Sequence, residues 1–379
     1  LIVGTNGCET EYDFVKLGSL IGQKLNKDCE VQLTAIPDNL NMFMIEFGII
    51  LSTYNFQNFK SDKSPEVNID ILDSEFSTEI ENKVKSIFWV RDMVNFPALT
   101  KSPDFFQHKV EELIEGLDIN LNSYDQEWIK EHNMGGVIGV SQGSDRPPKF
   151  LVGEYNTKAK KQIALIGKGV LFDSGGLSLK SPAGMETMKT DMAGAATAWG
   201  IIALVAKEGL DIGLKVYTPI VENMPSGSAI RPGDILSMRN GKSIEVMNTD
   251  AEGRLIMADA LAYASESKPD IICDVATLTG AAYVALGVEI GAVFSNNKNT
   301  LESFLNSNDD GFENYHPLPL EQSYKSLIKS NIADMKNSGG RFGGAITAAL
   351  LLEEFVEDIN WIHLDIAVSY THLTLPTMS

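Results

Sequence analysis

The chain is poor in the residues that mark many protein classes. It has three cysteines, Cys8, Cys29 and Cys273, odd in number and widely spaced. They suit neither a disulfide framework nor a thiolate metal site, and read as reduced thiols of a cytoplasmic protein. The five histidines, His108, His132, His316, His363 and His372, are scattered, and none neighbours the acidic residues discussed below. That argues against a histidine-rich zinc site. Long apolar runs are missing as well. The longest, MAGAATAWGIIALVA (192–206), lies between Asp191 and Lys207. It is too short to span a bilayer and suits a buried helix. There is no basic run. Lys plus Arg total 31 against 51 Asp plus Glu, a net charge of −20. Such a field repels phosphate backbones and anionic membranes, so neither nucleic acid nor membrane is an expected partner. It attracts metal ions and protonated amines. The opening LIVGTNG has no initiating Met and no basic segment, and reads as a fragment or processed chain rather than a signal peptide.

What remains is an ordinary globular composition, 44% hydrophobic and 22% charged. At roughly 150 residues per domain, the length suggests two domains, with room for a third. There is no internal repeat and no low-complexity tract. Residues 1–85 mix a helical pattern, YDFVKLGSLIGQKL (12–25), with strand-like runs, EVQLTAI and FMIEFGIILSTYNF, and a polar interruption, NFKSDKSPEVN. An amphipathic stretch, NKVKSIFWVRDMVN, then runs up to Pro97 and suits a link between domains. Beyond it, KFLVGEY, KQIALIG, GLKVYTPIV, IEVMN, IICDVAT, GAVFS and WIHLDIA alternate with helical stretches. The expected fold is α/β: a smaller N-terminal α/β domain, then a larger domain with a mixed, mostly parallel sheet covered by helices.

In open α/β sheets, ligands gather beyond the carboxyl ends of the strands. Several strand ends here carry charge where an apolar run stops. QIALI leads into GKGVLFDSGG, with Lys168 and Asp173 on a glycine-rich turn; the next stretch adds Lys180 and Asp191. IEVMN leads into NTDAEGRL, with Asp250, Glu252 and Arg254, and IICDVA leads into Thr277 and Gly280. Three Asp, one Glu and two Lys at adjacent strand ends would repel or desolvate one another. A pair of divalent cations resolves this, because carboxylates can bridge metals roughly 3.5–4 Å apart.

Each piece has a plainer reading. Asp250 could cap the following helix, with Glu252 in its first turn, and Asp191 could cap the helix through Trp199. GKGVLFDSGG lacks the spacing of a phosphate-binding loop. Lys168 and Lys180 could be surface or ion-pair lysines, and Met185, Met188 and Met192 at helical spacing could be core.

Together the pieces resemble a known family. NTDAEGRL (248–255) is similar to the signature of the leucyl aminopeptidase (cytosol aminopeptidase) family of two-metal exopeptidases. The resemblance extends through IGKGVLFDSGGLSLKSPAGMETMKTDMAGAA (166–196), VATLTGA (275–281), ADMKNSGGRFGGAITAAL (333–350) and WIHLDIA (361–367). VRDMVNFPA (90–98) resembles the segment that opens the catalytic domain. The resemblance covers about residues 86–367. It implies an N-terminal domain over 1–85, a catalytic domain over 86–367, and a tail, VSYTHLTLPTMS (368–379), that departs from the family pattern and reads as foreign sequence.

The resemblance also implies roles. Asp173 and Glu252 would contact both metals, Asp250 would complete one site, and Lys168 with Asp191 the other. A lysine ligand is chemically sensible, because a nearby cation favours the neutral amine. Oxygen-rich ligands with one nitrogen accept zinc, manganese, magnesium or cobalt. A metal-bridging water would supply hydroxide near neutral pH, and one metal would bind the free α-amine of a peptide. Lys180 would stabilise the oxyanion. Arg254 would hold a bicarbonate ion that shuttles the proton, a task suited to its planar fork. Met188, Thr277, Leu278 and Gly280 would shape an apolar first-residue pocket favouring leucine-like side chains. The family also implies a hexamer. Two other readings stand beside this one. Another two-metal hydrolase, such as a phosphatase, is disfavoured by the lysine ligand, the apolar pocket and the net charge. A catalytically impaired scaffold would keep the fold without metal uptake.

Overall fold

The computed structural model describes residues 9–25, 28–33, 40–63, 67–308 and 313–367. The expected tail, 368–379, lies outside these residues. Helix Glu11–Gly22 begins at a Thr10 capping box with Asp13 and crosses helix Met42–Leu51 at very short range. A Cβ on Gly18 would fall 2.0 Å from the Ile45 carbonyl oxygen, and one on Gly48 2.2 Å from that of Val15. Only glycine permits that approach. The run FMIEFGIILSTYNF, expected as strand, is largely this second helix. Its apolar residues are buried from several sides at once, which removes the periodicity that would have marked it as helical. Asn41 starts it by accepting the Met44 N–H. EVQLTAI contributes to strand Cys29–Val31, which pairs in parallel with Ile69–Ile71; residues 34–36 of that run lie outside the described set.

Helix Ser77–Asn95 carries the amphipathic stretch expected to link the domains. Residue 85 falls inside it, so one continuous helix spans the anticipated division.

The main sheet has nine strands among the described residues. In chain order they are β1 (Ile119–Tyr124), β2 (Lys149–Tyr155), β3 (Gln162–Gly167), β4 (Gly169–Asp173), β5 (Gly213–Asn223), β6 (Ile271–Ala276), β7 (Ile290–Ser295), β8 (Asn314–Pro317) and β9 (Trp361–Asp365). Across the sheet they run β8-β7-β9-β6-β3-β5-β2-β1, with β4 paired to the far end of β5. The pairs β5–β3, β3–β6, β6–β9, β7–β8 and β4–β5 are parallel; β1–β2, β2–β5 and β7–β9 are antiparallel. The mixed, mostly parallel expectation therefore describes the sheet. One assignment changes. IEVMN does not join this sheet: Ser243–Glu245 pairs with Ile235–Ser237 and Met335–Lys336 in a separate three-stranded sheet.

Both faces of the central strands are buried, and the pleat divides their side chains. Phe150, Val152, Ile166 and Tyr217 point into one core, with helices Gly135–Ser141, Gly253–Ser265 and Gly344–Glu353. Leu151, Leu165, Val216 and Val275 point into the other, with helices Pro103–Ile114 and Ala193–Lys207. Burial on both sides explains why these strands read as unbroken apolar runs. Helix Ala193–Lys207 presses hard on the sheet: a Cβ on Gly194 would lie 2.0 Å from the Val275 carbonyl oxygen, and one on Gly167 2.5 Å from that of Gly194.

Helix Gly135–Ser141 has no side chain of its own to cap its first N–H groups. Asp259, fully buried on helix Gly253–Ser265, does so from across the core. Its Oδ2 accepts the Gly136 and Val137 N–H groups at 2.7 and 3.1 Å, and its Oδ1 accepts that of Arg239 at 2.8 Å. Burial pushes its carboxyl up to about 7, against the pull of these donors. Asp259→Asn would turn an amide N–H₂ toward one set of N–H groups. The expected outcome is a loss of about 1–3 kcal/mol, read from the midpoint of urea unfolding.

Candidate metal centre

The parallel strands β3, β5, β6 and β9 end along one edge, and the charged residues collect there. Lys168 follows β3, Asp173 closes β4, Asn223 closes β5, Thr277 follows β6 and Asp365 closes β9. The chain turns after β4 through Gly175 and Gly176 at φ +84° and +62°, a region that favours glycine. A Cβ on Gly175 would sit 2.5 Å from the Ser178 carbonyl and 2.9 Å from Asp250 Oδ1. That tight turn returns Lys180 to the edge its strand has just left.

Lys168 is fully buried among acceptors. Its Nζ lies 2.7 Å from Asp191 Oδ1, 2.8 Å from Glu252 Oε1 and 3.0 Å from the Thr277 carbonyl oxygen. Burial alone would favour the neutral amine, but Asp191, Glu252 and Asp173 outweigh it and hold the group as an ammonium, above its usual range. Lys180 Nζ bridges Asp173 Oδ2 at 2.8 Å and Asp250 Oδ1 at 2.5 Å. Ligand atoms of Asp173, Asp250 and Glu252 all lie within 4.8 Å of one another.

Two ammoniums do not balance four carboxylates. The Asp173 carboxyl is pushed up to about 6, by burial first and then by the Glu252 charge. Burial also raises Asp191 well above the carboxylate range, against Lys168, and raises Asp250. Glu252 alone moves down: burial opposes its charge, but Lys168 overcomes that. Buried carboxylate oxygens also stand without a hydrogen-bond partner, Asp191 Oδ2 and Glu252 Oε2. Uncompensated negative charge and unpartnered oxygens in one buried cluster fit divalent cations.

The helix-cap readings do not survive. Met192 and Glu252 stand at the starts of helices Ala193–Lys207 and Gly253–Ser265, and neither start has a side-chain cap bond. Asp191 instead accepts from Lys168 and, at 2.8 Å, from Thr277 Oγ1. Of the expected pocket residues, Thr277 is thus tied to the acidic cluster through both its hydroxyl and its carbonyl. Leu278 is half-buried, its N–H donating to Asp365 Oδ1 at 3.1 Å. Met188 opens a short 3₁₀ turn before Asp191, and Gly280 opens helix Gly280–Leu286, exposed. Arg254 is buried, donates through Nη1 to the Asn337 carbonyl at 2.7 Å, and has its Nε unpartnered. Burial lowers its guanidinium to about 10.

This arrangement matches a known one. The model for the cytosol aminopeptidase family, catalytic domain, matches residues 88–376. The chain belongs to the cytosol aminopeptidase family. It is 43% identical over 336 residues to a probable cytosol aminopeptidase of Syntrophotalea carbinolica, covering 84% of this chain and 68% of that one. It is 38% identical over 387 residues to another from Nitrobacter winogradskyi, covering 96% and 77%. Among solved structures, the cytosol aminopeptidase of Coxiella burnetii superposes with a TM-score of 0.88 at 33% identity, over 96% of this chain and 79% of that one. The bottromycin maturation enzyme BotP in complex with Mn gives 0.89 at 31% identity, over 96% and 82%. As a member of the cytosol aminopeptidase family, the chain is a metal-dependent peptidase acting on peptides. No helix among its described residues is long and apolar enough to cross a membrane.

Three residues went unnoticed in the sequence. Asn223 donates to Asp173 Oδ1 at 2.8 Å and to the Thr249 carbonyl at 3.0 Å. Asp365 accepts from the Leu278 and Thr279 N–H groups and the Thr279 hydroxyl, shaping the turn that carries Thr277. Asn337 lies fully buried beside NTDAEGRL. Asp365 and Asn337 fall inside the family-like segments WIHLDIA and ADMKNSGG, which was the available signal.

Gly253 tests the packing around Lys168. A Cβ there would meet Lys168 Cε at 2.6 Å and Nζ at 2.7 Å, both at the mobile end of the side chain. Gly253→Ala is expected to displace that end while the protein still folds. Mn²⁺ affinity should fall about 10–100-fold by calorimetric titration, with little change in melting temperature.

Proposed function

We propose that the chain removes the N-terminal residue, leucine-like by preference, from peptides with a free amine. Asp173, Asp191, Asp250 and Glu252, with Lys168 as the neutral amine once a bound cation displaces its proton, hold two divalent ions, with Mn or Zn favoured and Mg or Co also suited to the donor set. The observation that carries this reading is the buried cluster itself, with its surplus of carboxylates and its unpartnered oxygens on Asp191 and Glu252. When bound, the ions supply Lewis acidity and activate water for attack on the scissile carbonyl.

The chain's own residues do the rest. Asp191 offers one oxygen because the other is held by Lys168 and Thr277, and Asp173 is anchored in the same way by Gly175 N–H and Asn223. Lys180 stands next to Asp173 and Asp250, where a cation can stabilise the oxyanion that develops on the substrate carbonyl. Arg254 has an unsatisfied buried Nε–H, which suits a small planar oxyanion. Bicarbonate there would carry the proton from water to the leaving amine. Met188, Thr277, Leu278 and Gly280 border the first-residue pocket, whose apolar lining separates side chains of similar size only modestly. A cytoplasmic location is supported by the relatives' designation as cytosol aminopeptidases. Assembly as a hexamer follows the family that the sequence resembles.

Hydrolysis of a leucine amide analogue is expected to depend on added Mn²⁺ or Zn²⁺. It should drop more than about a hundredfold in Glu252→Ala, by analogy with losses seen on disturbing metal shells. A phosphate ester should not turn over. Metal-independent hydrolysis, or full activity in Glu252→Ala, would sink the two-metal reading.

A further inference from the structure

Between strand Ser243–Glu245 and helix Gly253–Ser265, the chain crosses the acidic cluster without regular secondary structure. Asp250 and Glu252 sit on this crossing, and their positions depend on what holds its backbone. Local devices do part of the work: the Asp250 N–H donates to Asn248 Oδ1 at 3.0 Å, and Thr249 Oγ1 donates to the Gly175 carbonyl at 2.6 Å. Ser178 Oγ accepts the Thr249 N–H at 3.1 Å, and Asn223 Nδ2 donates to the Thr249 carbonyl at 3.0 Å. Four further polar groups of residues 247–251 are met by a single side chain nearly ninety residues further on.

That side chain is Asn337. Its Oδ1 accepts the Met247 and Asn248 N–H groups at 2.8 and 3.2 Å. Its Nδ2 donates to the Asn248 and Ala251 carbonyls at 2.7 and 3.3 Å. Its own N–H donates to the Glu245 carbonyl at 3.0 Å, and its own carbonyl accepts Arg254 Nη1 at 2.7 Å. All these bonds go to residues 245–254, and none goes to a carboxylate. Asn337 is fully buried, at the end of strand Met335–Lys336, which runs parallel to Ser243–Glu245 and fixes its position.

We infer that Asn337 is a positioning residue for the metal centre: its carboxamide sets the backbone of 247–251, and so the directions of Asp250 and Glu252, before any metal arrives. The inference rests on the metal-site reading above. Only an amide serves, because the crossing presents two donors on one side and two acceptors on the other. A carboxylate would set an oxygen against the Asn248 and Ala251 carbonyls and add charge beside the acidic cluster. A longer amide has no room in a site with no exposed surface.

The test uses the full chain with Mn²⁺ as the probe. In Asn337→Asp and Asn337→Ala, Mn²⁺ affinity by calorimetric titration is expected to fall about 10–100-fold. The kcat for leucine amide should fall at least tenfold while KM stays within about threefold. Ser265→Ala is the control. It removes bonds to the Leu261 and Phe355 carbonyls at the far end of the same helix, and should lower the melting temperature without moving either metal affinity or kcat. Asn337 variants that lose stability but keep wild-type Mn²⁺ affinity and kcat would overturn the inference. Hydrogen exchange on the wild-type chain needs no variant to fold. The Met247 and Asn248 amides should be protected equally without and with Mn²⁺; protection that arises only with metal would mean that the metal orders this crossing, and would also overturn it. A wild-type chain that takes up no Mn²⁺ would bring down the metal reading, and this inference with it.

Discussion

The structure turns on a surplus of buried negative charge. Asp173, Asp191, Asp250 and Glu252 stand at one edge of the sheet, with Lys168 and Lys180 as the cations bonded among them. Repulsion and desolvation both oppose such a cluster, so the surrounding fold has to hold it in place. Parallel strands bring their carboxyl ends to a common edge. Gly167 and Gly194 let helix Ala193–Lys207 close on that edge, so that the Lys168 carbonyl accepts the Ala195 N–H and its N–H reaches the Val275 carbonyl. The backbone of Lys168 is thereby locked at the edge of the sheet.

The anchoring follows a common rule. Asp191 is held through Oδ1, and its Oδ2 has no partner. Glu252 is paired through Oε1 and bare at Oε2. Asp173 takes Gly175 and Asn223 on Oδ1 and turns Oδ2 to Lys180. In Asp191 and Glu252 one oxygen fixes the carboxylate and the other is offered; in Asp173 the second oxygen is held only by the ammonium of Lys180. A cluster meant only to be neutralised would saturate both oxygens, as Asp274 does by accepting Trp361 Nε1 and bonding His363 Nδ1, each at 2.6 Å. Asp274 and His363 lie in neighbouring strands of the same sheet, where Asp274 takes the His363 Nδ1 and the histidine's Nε2 stands without a partner.

How much of this was legible depends on range. The strands of the large domain were readable because burial on two faces leaves unbroken apolar runs, and the charged residues were readable because they interrupt those runs. Family-like segments then related the charges to one another, which spacing alone could not do. Three features escaped. Helix Met42–Leu51 is apolar around much of its circumference, so periodicity could not separate it from a strand. Ser243–Glu245 is too short for its run to reveal which sheet it joins. Asn223, Asn337 and Asp365 act through backbone groups of distant segments, and an asparagine that satisfies main-chain polar atoms looks, in sequence, like any polar residue near a turn. Contacts of that kind become visible only when the chain is folded.

The two lysines explain how such a centre can form at all. An apolar residue in place of Lys168 would leave Asp191 and Glu252 buried with no cation between them, and both would take up protons or open the edge to water. Lysine supplies a compact charge on a flexible stem, able to sit between carboxylates as the chain folds and to move when a stronger cation competes for them. Arginine could not take this part: its planar fork would saturate both oxygens of a carboxylate at once. Two ammoniums are enough to let the edge close, and too few to match four carboxylates. The residual charge is the attraction for divalent ions, and partial compensation is what lets the same residues fold first and bind afterwards.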